Sequence, residues 1–321
     1  MGRFVLRRLG TMLLTIFVVL FINFALIHLA PGDPIRILSG LDNPSEEMIQ
    51  NLRERYGLDK PWTIQFLTYL KQLAHGDLGR SIINDQPVGP QIFEKLTATL
   101  VLTLTATIAA FVLGTVLGTF SAFHYRSKLD AILSFFAYLF YSMPSFWLGL
   151  MLMLVFASWL KILPTSGMVS LREQQQGLGY VLDVVRHLIL PSTTLALVYA
   201  PVYYRITRAS VIQTLDEDFV TTFLATGLSK SQILRKYVLR NAILPTVTML
   251  GLHLGYVVTG AALVEIVFAW PGMGRMMLDA VFRRDYPLLT GIYLMISVSV
   301  AIAIFITDII YSVLDPRIRY S

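Results

Sequence analysis

The 321-residue chain has no cysteine, and only 14% of its residues are charged. The first absence excludes disulfides, iron–sulfur clusters and thiolate metal sites. The second excludes an ordinary soluble domain, in which about a quarter of the residues carry charge. No G-x-x-x-x-G-K-[ST] phosphate cradle occurs, so the chain has no P-loop with which to bind ATP itself. H-E-x-x-H and G-x-S-x-G are also missing, which leaves hydrolysis within a membrane without support. The histidines (His28, His75, His124, His187 and His253) stand in no metal-ligand spacing on one helix face, and no metal centre is expected.

What the chain does have is oil. Hydrophobic residues make up 55% of it, and mean hydropathy is +0.64. The apolar runs are about 17–30 residues long, enough for helices that cross a bilayer and far too long for barrel strands. The expected fold class is an all-α polytopic membrane protein with six transmembrane helices. They run Leu9–Ala30, Leu100–Phe123, Ala131–Leu160, Leu188–Tyr204, Leu244–Trp270 and Leu288–Val313. Pro144, Pro191 and Pro201 fall inside the third and fourth, where kinks rather than breaks are expected. The first span follows the basic MGRFVLRRLG and is longer than a cleavable signal, so it reads as a retained anchor.

Lysine and arginine set the orientation. With the N-terminus cytoplasmic, thirteen fall on the inner side. Six fall on the outer side once the long Pro31–Thr97 loop, which translocates regardless of charge, is set aside. Both termini are therefore expected in the cytoplasm. The net charge of +6 is read as this positive-inside bias, with a lipid bilayer and no nucleic acid as its partner. The resulting division is a cytoplasmic N-terminus at 1–8, the first span at 9–30 and an external loop with two short helices at 31–99. A five-helix core at 100–313 contains an internal loop at 205–243, and a cytoplasmic C-terminus follows at 314–321.

The loops carry the information. In the external loop, one helix is expected over Glu46–Tyr56 and a second from Pro61 to before Gly76. Phe66, Leu70 and Leu73, with Leu67 and Ala74, share a face on the second, suited to cover the outer ends of the spans or to dock an external partner. The internal loop holds two short helices. LDEDFVTTFLAT keeps its acids at the N-terminal end, where the helix dipole favours them. Gly227 stops it, and Ser229 with Gln232 forms an S-x-x-Q capping box that starts the next helix. There Ile233, Leu234, Tyr237, Val238 and Asn241 share one face, while Lys230, Arg235, Lys236 and Arg240 lie mostly on the other. An interfacial helix on anionic lipid explains the basic face alone. A docking knob explains the capped glycine elbow as well.

That internal loop, with ATGLS at Ala225–Ser229 and LRNAILP at Leu239–Pro245, resembles the coupling loop of permease subunits of bacterial ATP-binding-cassette importers, in the dipeptide/oligopeptide/nickel branch. The resemblance runs along nearly the whole chain. It takes in FVLRRLG, APGDP (Ala30–Pro34), YGLDKPW (Tyr56–Trp62), HGDLGRS (His75–Ser81) and YSMPSFW (Tyr141–Trp147). LPTSG, HLILP, RITRAS (Arg205–Ser210), EIVFAWPGMGR (Glu265–Arg275), RRDYPL and DPRIRY follow in order. The chain departs from the general loop pattern in having Thr221, Thr222 and Phe223 where Glu-Ala-Ala is usual, and Tyr237-Val238-Leu239-Arg240 where Ile-x-Leu-Pro is usual. The missing acid removes the ground for a specific ion pair with an ATPase and leaves the elbow intact.

The resemblance implies a type I importer permease fold in a bacterial cytoplasmic (inner) membrane. It implies a second homologous permease, two ATPase subunits that bind the ATP and magnesium, and a periplasmic substrate-binding protein. Ala225, Thr226, Gly227, Leu228, Ser229, Lys230 and Gln232 would sit in a groove of one ATPase. This chain would then be a non-catalytic translocation subunit with no cofactor of its own, serving peptides or related small solutes. A stand-alone secondary carrier is the alternative, although no paired interrupted halves are visible; a membrane anchor or assembly factor is a third reading.

Two intramembrane acids are candidates for function. Glu265, close to Trp270 and Pro271, is read as a latch or gate pairing with Arg275, Arg283 or Arg284, or as a contact for a cationic solute group. Asp308 is expected to pack against another span through a hydroxyl or arginine. Gly114/Gly118 and Gly251/Gly255 have the spacing that permits close helix approach. The row Thr99, Thr103 and Thr107 is expected to bond back to its own helix.

Overall fold

In a computed structural model of the protein, residues 2–29, 45–47, 50–51, 54, 59–170, 176–259 and 261–314 are described. Side chains at 2–5, 26–29, 230, 259, 303 and 306–314 are outside that description, which leaves out those of Lys230 and Asp308. APGDP, DPRIRY and most of the helix expected over 46–56 also fall outside it.

Among the described residues every named element is helical. They are α1 (Gly2–Leu29), α2 (Trp62–Ala74), α3 (Val88–Phe123), α4 (Lys128–Ser142) and α5 (Ser145–Leu152), the last continuing as a π-helical stretch over Met153–Trp159. Next come α6 (Leu178–Leu215), α7 (Asp218–Ala225) and α8 (Lys230–Ile233), a π-helical turn over Leu234–Val238, and α9 (Leu239–Ala242). α10 (Leu244–Tyr256) runs through a 3₁₀ turn at Val257–Thr259 toward α11 (Ala262–Val267), followed by α12 (Met273–Arg283) and α13 (Tyr286–Leu314). α1, α3 and α6 are each long and apolar enough to cross a membrane, and α4 with α5 makes a fourth if counted as one broken span. The chain divides into two units, residues 1–98 with 272–321, and residues 99–271.

In the first unit α1 packs along α13, and α2 lies against the far end of α1. Phe66 meets the rings of Phe17, Phe21 and Phe24, with centroids 5.2–6.0 Å apart. The covered face of α2 carries Phe66, Tyr69, Leu70 and Leu73, whereas Leu67 and Ala74 are exposed. The expected face is thus turned slightly, because Phe66 seeks the aromatic cluster. Buried Ser81 donates to Asp285 Oδ2 at 2.5 Å, and the Ile82 and Leu288 N–H groups reach Asp285 Oδ1. This ties the HGDLGRS segment to the start of α13.

In the second unit α3 and α6 approach closely. A Cβ at Gly114 would overlap the Ala200 carbonyl oxygen, and one at Gly118 would come within 2.6 Å of that of Tyr204. This pair of glycines brings α6 onto α3. Ala110, Ala196, Ala200 and Tyr203 form the core there, with Met249 and Leu250 of α10 against it.

Prolines act differently at different places. Pro191 and Pro201 lie inside an unbroken α6, where Ser192 and Thr194 donate to the carbonyls of Leu188 and Leu190. At Pro144 the expected kink is a break instead: the two helices meet at 106°. Met143 is extended, with ψ 132°, as the clash ahead of a proline demands.

The expected Leu244–Trp270 span is likewise interrupted: its helix stops at Tyr256, and Val257–Thr259, β-branched throughout, form a 3₁₀ turn. Thr103 donates to the Val257 carbonyl there at 2.9 Å, and to Thr99 of its own helix at 2.7 Å. Thr99 itself donates across to Glu265. Only part of the threonine row therefore bonds as expected.

Candidate coupling site

The segment between α6 and α10 closes on itself through local chemistry. α7 begins with Asp218 in its first turn and ends at Thr226. Gly227 follows at φ +86°, the left-handed conformation that glycine adopts without a Cβ penalty. Its N–H donates to the Leu224 carbonyl at 3.1 Å, and the Leu228 N–H donates to that of Phe223 at 3.2 Å. Those two bonds make a Schellman stop, and Leu228 and Phe223 pack into the same cluster as its apolar clasp. Ser229 then opens α8: the Gln232 N–H donates to Ser229 Oγ at 3.3 Å, while the Ser229 N–H donates to Gln232 Oε1 at 3.1 Å. The reciprocal pair satisfies two orphan donors of the helix start. Ala225, Thr226, Gly227, Ser229 and Gln232 are exposed, Leu228 is half-buried, and Leu224 is 42% exposed beside them.

Beneath this tip lies a dry core. Ala122 of α3, Val211 of α6, Val220 of α7, and Ile233, Leu234, Val238 and Ala242 are all buried together. The elbow is therefore seated on the ends of two long helices. The π-helical turn at Leu234–Val238 adds a residue to the turn and shifts the expected face. Val238 and Ala242 point in, while Asn241 is exposed and Tyr237 stacks on Phe223 with centroids 4.2 Å apart. Phe219, Phe223, Tyr237, Lys236, Arg240 and Asn241 line an open groove of about 310 Å³ beside the elbow.

A polar clamp fixes the same end of the unit. Arg208 Nε and Nη2 donate to the two oxygens of Asp130, each at 2.7 Å. Ser121 Oγ also donates to Asp130 at 2.5 Å, and the Arg126 N–H at 3.1 Å. The Tyr204 hydroxyl meets Ser121 and Ser134 at 2.6 and 2.8 Å. Tyr125 presents its ring to Arg208 from 5.4 Å. α3, α4 and α6 thus meet at one buried ion pair, just where α6 leads into the elbow. Sequence reasoning missed this pair. Ser127-x-x-Asp130 signals a helix start, and Ser127 Oγ does accept from the Asp130 N–H, but nothing local points to a partner 78 residues on.

Glu265 has no exposed surface and accepts from Thr99 at 2.9 Å. A solute would reach it only after a rearrangement. Arg275, Arg283 and Arg284 belong to α12 and its left-handed end, in the other unit. Asp308 lies on α13.

The "Binding-protein-dependent transport system inner membrane component" family model matches residues 114–320, and its N-terminal counterpart matches 1–103. The chain belongs to this permease family. The permease is 36% identical over 338 aligned positions to the dipeptide transport system permease protein DppB of Escherichia coli K12, covering 100% of this chain and 99% of that one. It is 37% identical to the di/tripeptide transport system permease protein DppB of Pseudomonas aeruginosa, with 99% and 98% covered. It is 36% identical to the glutathione transport system permease protein GsiC of E. coli, each covered in full. Among solved structures, a chain of the MetNI methionine ABC transporter in an inward-facing conformation aligns at TM-score 0.54 and 17% identity. That alignment covers 70% of this permease and 96% of that chain, and shows the shared fold.

Proposed function

We propose that this permease forms half of the translocation path of an importer for di- and oligopeptides or related small solutes. The exposed elbow around Gly227 is its contact with a cytoplasmic ATPase. The other half of the path comes from a second homologous permease. Two ATPases bind and hydrolyse ATP with magnesium, and a periplasmic binding protein delivers the solute. This chain is then non-catalytic, with six spans and both termini in the cytoplasm of a bacterial cell. Peptide and glutathione transport by full-length relatives at 36–37% identity supports the solute class.

The observation that carries the reading is the elbow's construction. It is locked on both sides by backbone and side-chain caps, exposed at its tip, and seated on α3 and α6 through a buried core. A push on such an element moves the helices as a body rather than bending the loop. An amphipathic helix lying on lipid needs no such lock.

Because the chain has no cysteine, a single Ala225→Cys variant is a clean probe. In the complex assembled with the neighbouring gene products, a short thiol-reactive crosslinker at that position is expected to capture an ATPase subunit. Capture of lipid alone would refute the docking.

A further inference from the structure

One face of the second unit does not suit lipid. Tyr138 and Tyr141 of α4 are 59% and 56% exposed. At about 1.5 Å per residue, Tyr138 lies about 15 Å along α4 from Lys128, a length equal to half a hydrocarbon core of about 30 Å. Tyrosine belongs to the membrane interface, where its hydroxyl is wet. Next to Tyr141 the helix stops at the 106° break before Pro144, which leaves terminal carbonyls of α4 without helical partners. The Ser142 hydroxyl donates to one of these, that of Leu139, and the Met143 N–H reaches Phe140. Broken backbone at membrane depth is tolerated only against protein or a water-filled cavity.

A cation completes the face. Arg205 of α6 is exposed and shares a shallow hollow with Tyr138 and Tyr141. One turn further on, Arg208 is neutralised by Asp130; Arg205 takes part in none of the ion pairs among the described residues. A guanidinium beside two exposed phenols is equipped to receive a planar anion through forked hydrogen bonds.

We propose that Tyr138, Tyr141 and Arg205 line the water-filled translocation path, and that Arg205 is a way-station for the carboxylate of a solute in transit. The proposal rests on the importer reading for its solute, though not for the wetness of the face. It makes the permease itself selective for anionic groups, in addition to whatever selection precedes delivery.

The test uses the complete complex in nanodiscs with Tyr138→Cys or Tyr141→Cys, two thiol reagents that cannot cross membranes, and mass spectrometry of the labelled peptide. One reagent carries a sulfonate and the other a trimethylammonium. Both positions are expected to react. The sulfonate should be favoured on the order of tenfold after correction for the reagents' rates with free cysteine. Arg205→Gln should abolish that preference, and Arg205→Lys should retain most of it. Protection of both positions from both reagents would show the face packed against lipid or another subunit and would overturn the proposal. A charge preference unchanged in Arg205→Gln would overturn the role of Arg205. ATP-driven uptake by the same complex in liposomes is read separately, so failure of the importer reading and failure of this proposal give different results.

Discussion

Arg208 grips both oxygens of Asp130 at 2.7 Å, across 78 residues of sequence and at the point where three long helices converge. Asp130 is almost wholly buried and Arg208 about three-quarters so. Removing one partner of a fully buried pair costs about 3–5 kcal/mol, and the exposure of Arg208 brings the expected loss for Asp130→Asn to about 2–3 kcal/mol. A lowered unfolding temperature in nanodiscs checks this. Arg208→Lys should recover only part of the loss, because an ammonium cannot make the fork.

Ser229→Ala removes the acceptor for the Gln232 N–H. The expected cost is about 1 kcal/mol, confined to the start of α8. Hydrogen exchange should quicken at residues 230–233 by roughly fivefold, with α3 and α6 unchanged.

Gly118 and Gly10 should respond to alanine in opposite ways. Gly118→Ala drives a methyl group to within 2.6 Å of the Tyr204 carbonyl oxygen and should destabilise by about 1–3 kcal/mol, the usual range for overpacking. Gly10→Ala on α1 meets nothing within 4 Å and should be neutral or stabilising by up to about 1 kcal/mol through helix propensity. Thermal unfolding of the two variants side by side decides it.

The elbow was legible in the sequence because its determinants are neighbours: a glycine stop, then a serine and glutamine three apart. The long apolar runs announced helices for the same reason. The 106° break at Pro144 was not legible. Pro191 and Pro201 look the same in sequence yet stay within one helix, beside hydroxyls that bond back to it. The interruption at Val257–Thr259 depends on Thr103 supplying a donor from 154 residues away. The π-helical turn at Leu234–Val238 sends Asn241 outward, a shift that a periodicity of 3.6 residues does not contain. The Asp130–Arg208 clamp and the hollow that Arg205 shares with Tyr138 and Tyr141 are tertiary in the same sense. Each residue is ordinary where it stands in the chain.

The most direct measurement is of ATP hydrolysis and solute uptake by the complete complex in lipid, comparing wild type with Gly227→Pro. Proline cannot adopt the +86° φ of that position, so the variant distorts the elbow while leaving the membrane helices untouched. The account predicts that hydrolysis stimulated by the binding protein falls at least tenfold and uptake is lost, with the helical circular dichroism of the permease unchanged. Normal stimulation and uptake in Gly227→Pro would contradict the elbow as the point of coupling.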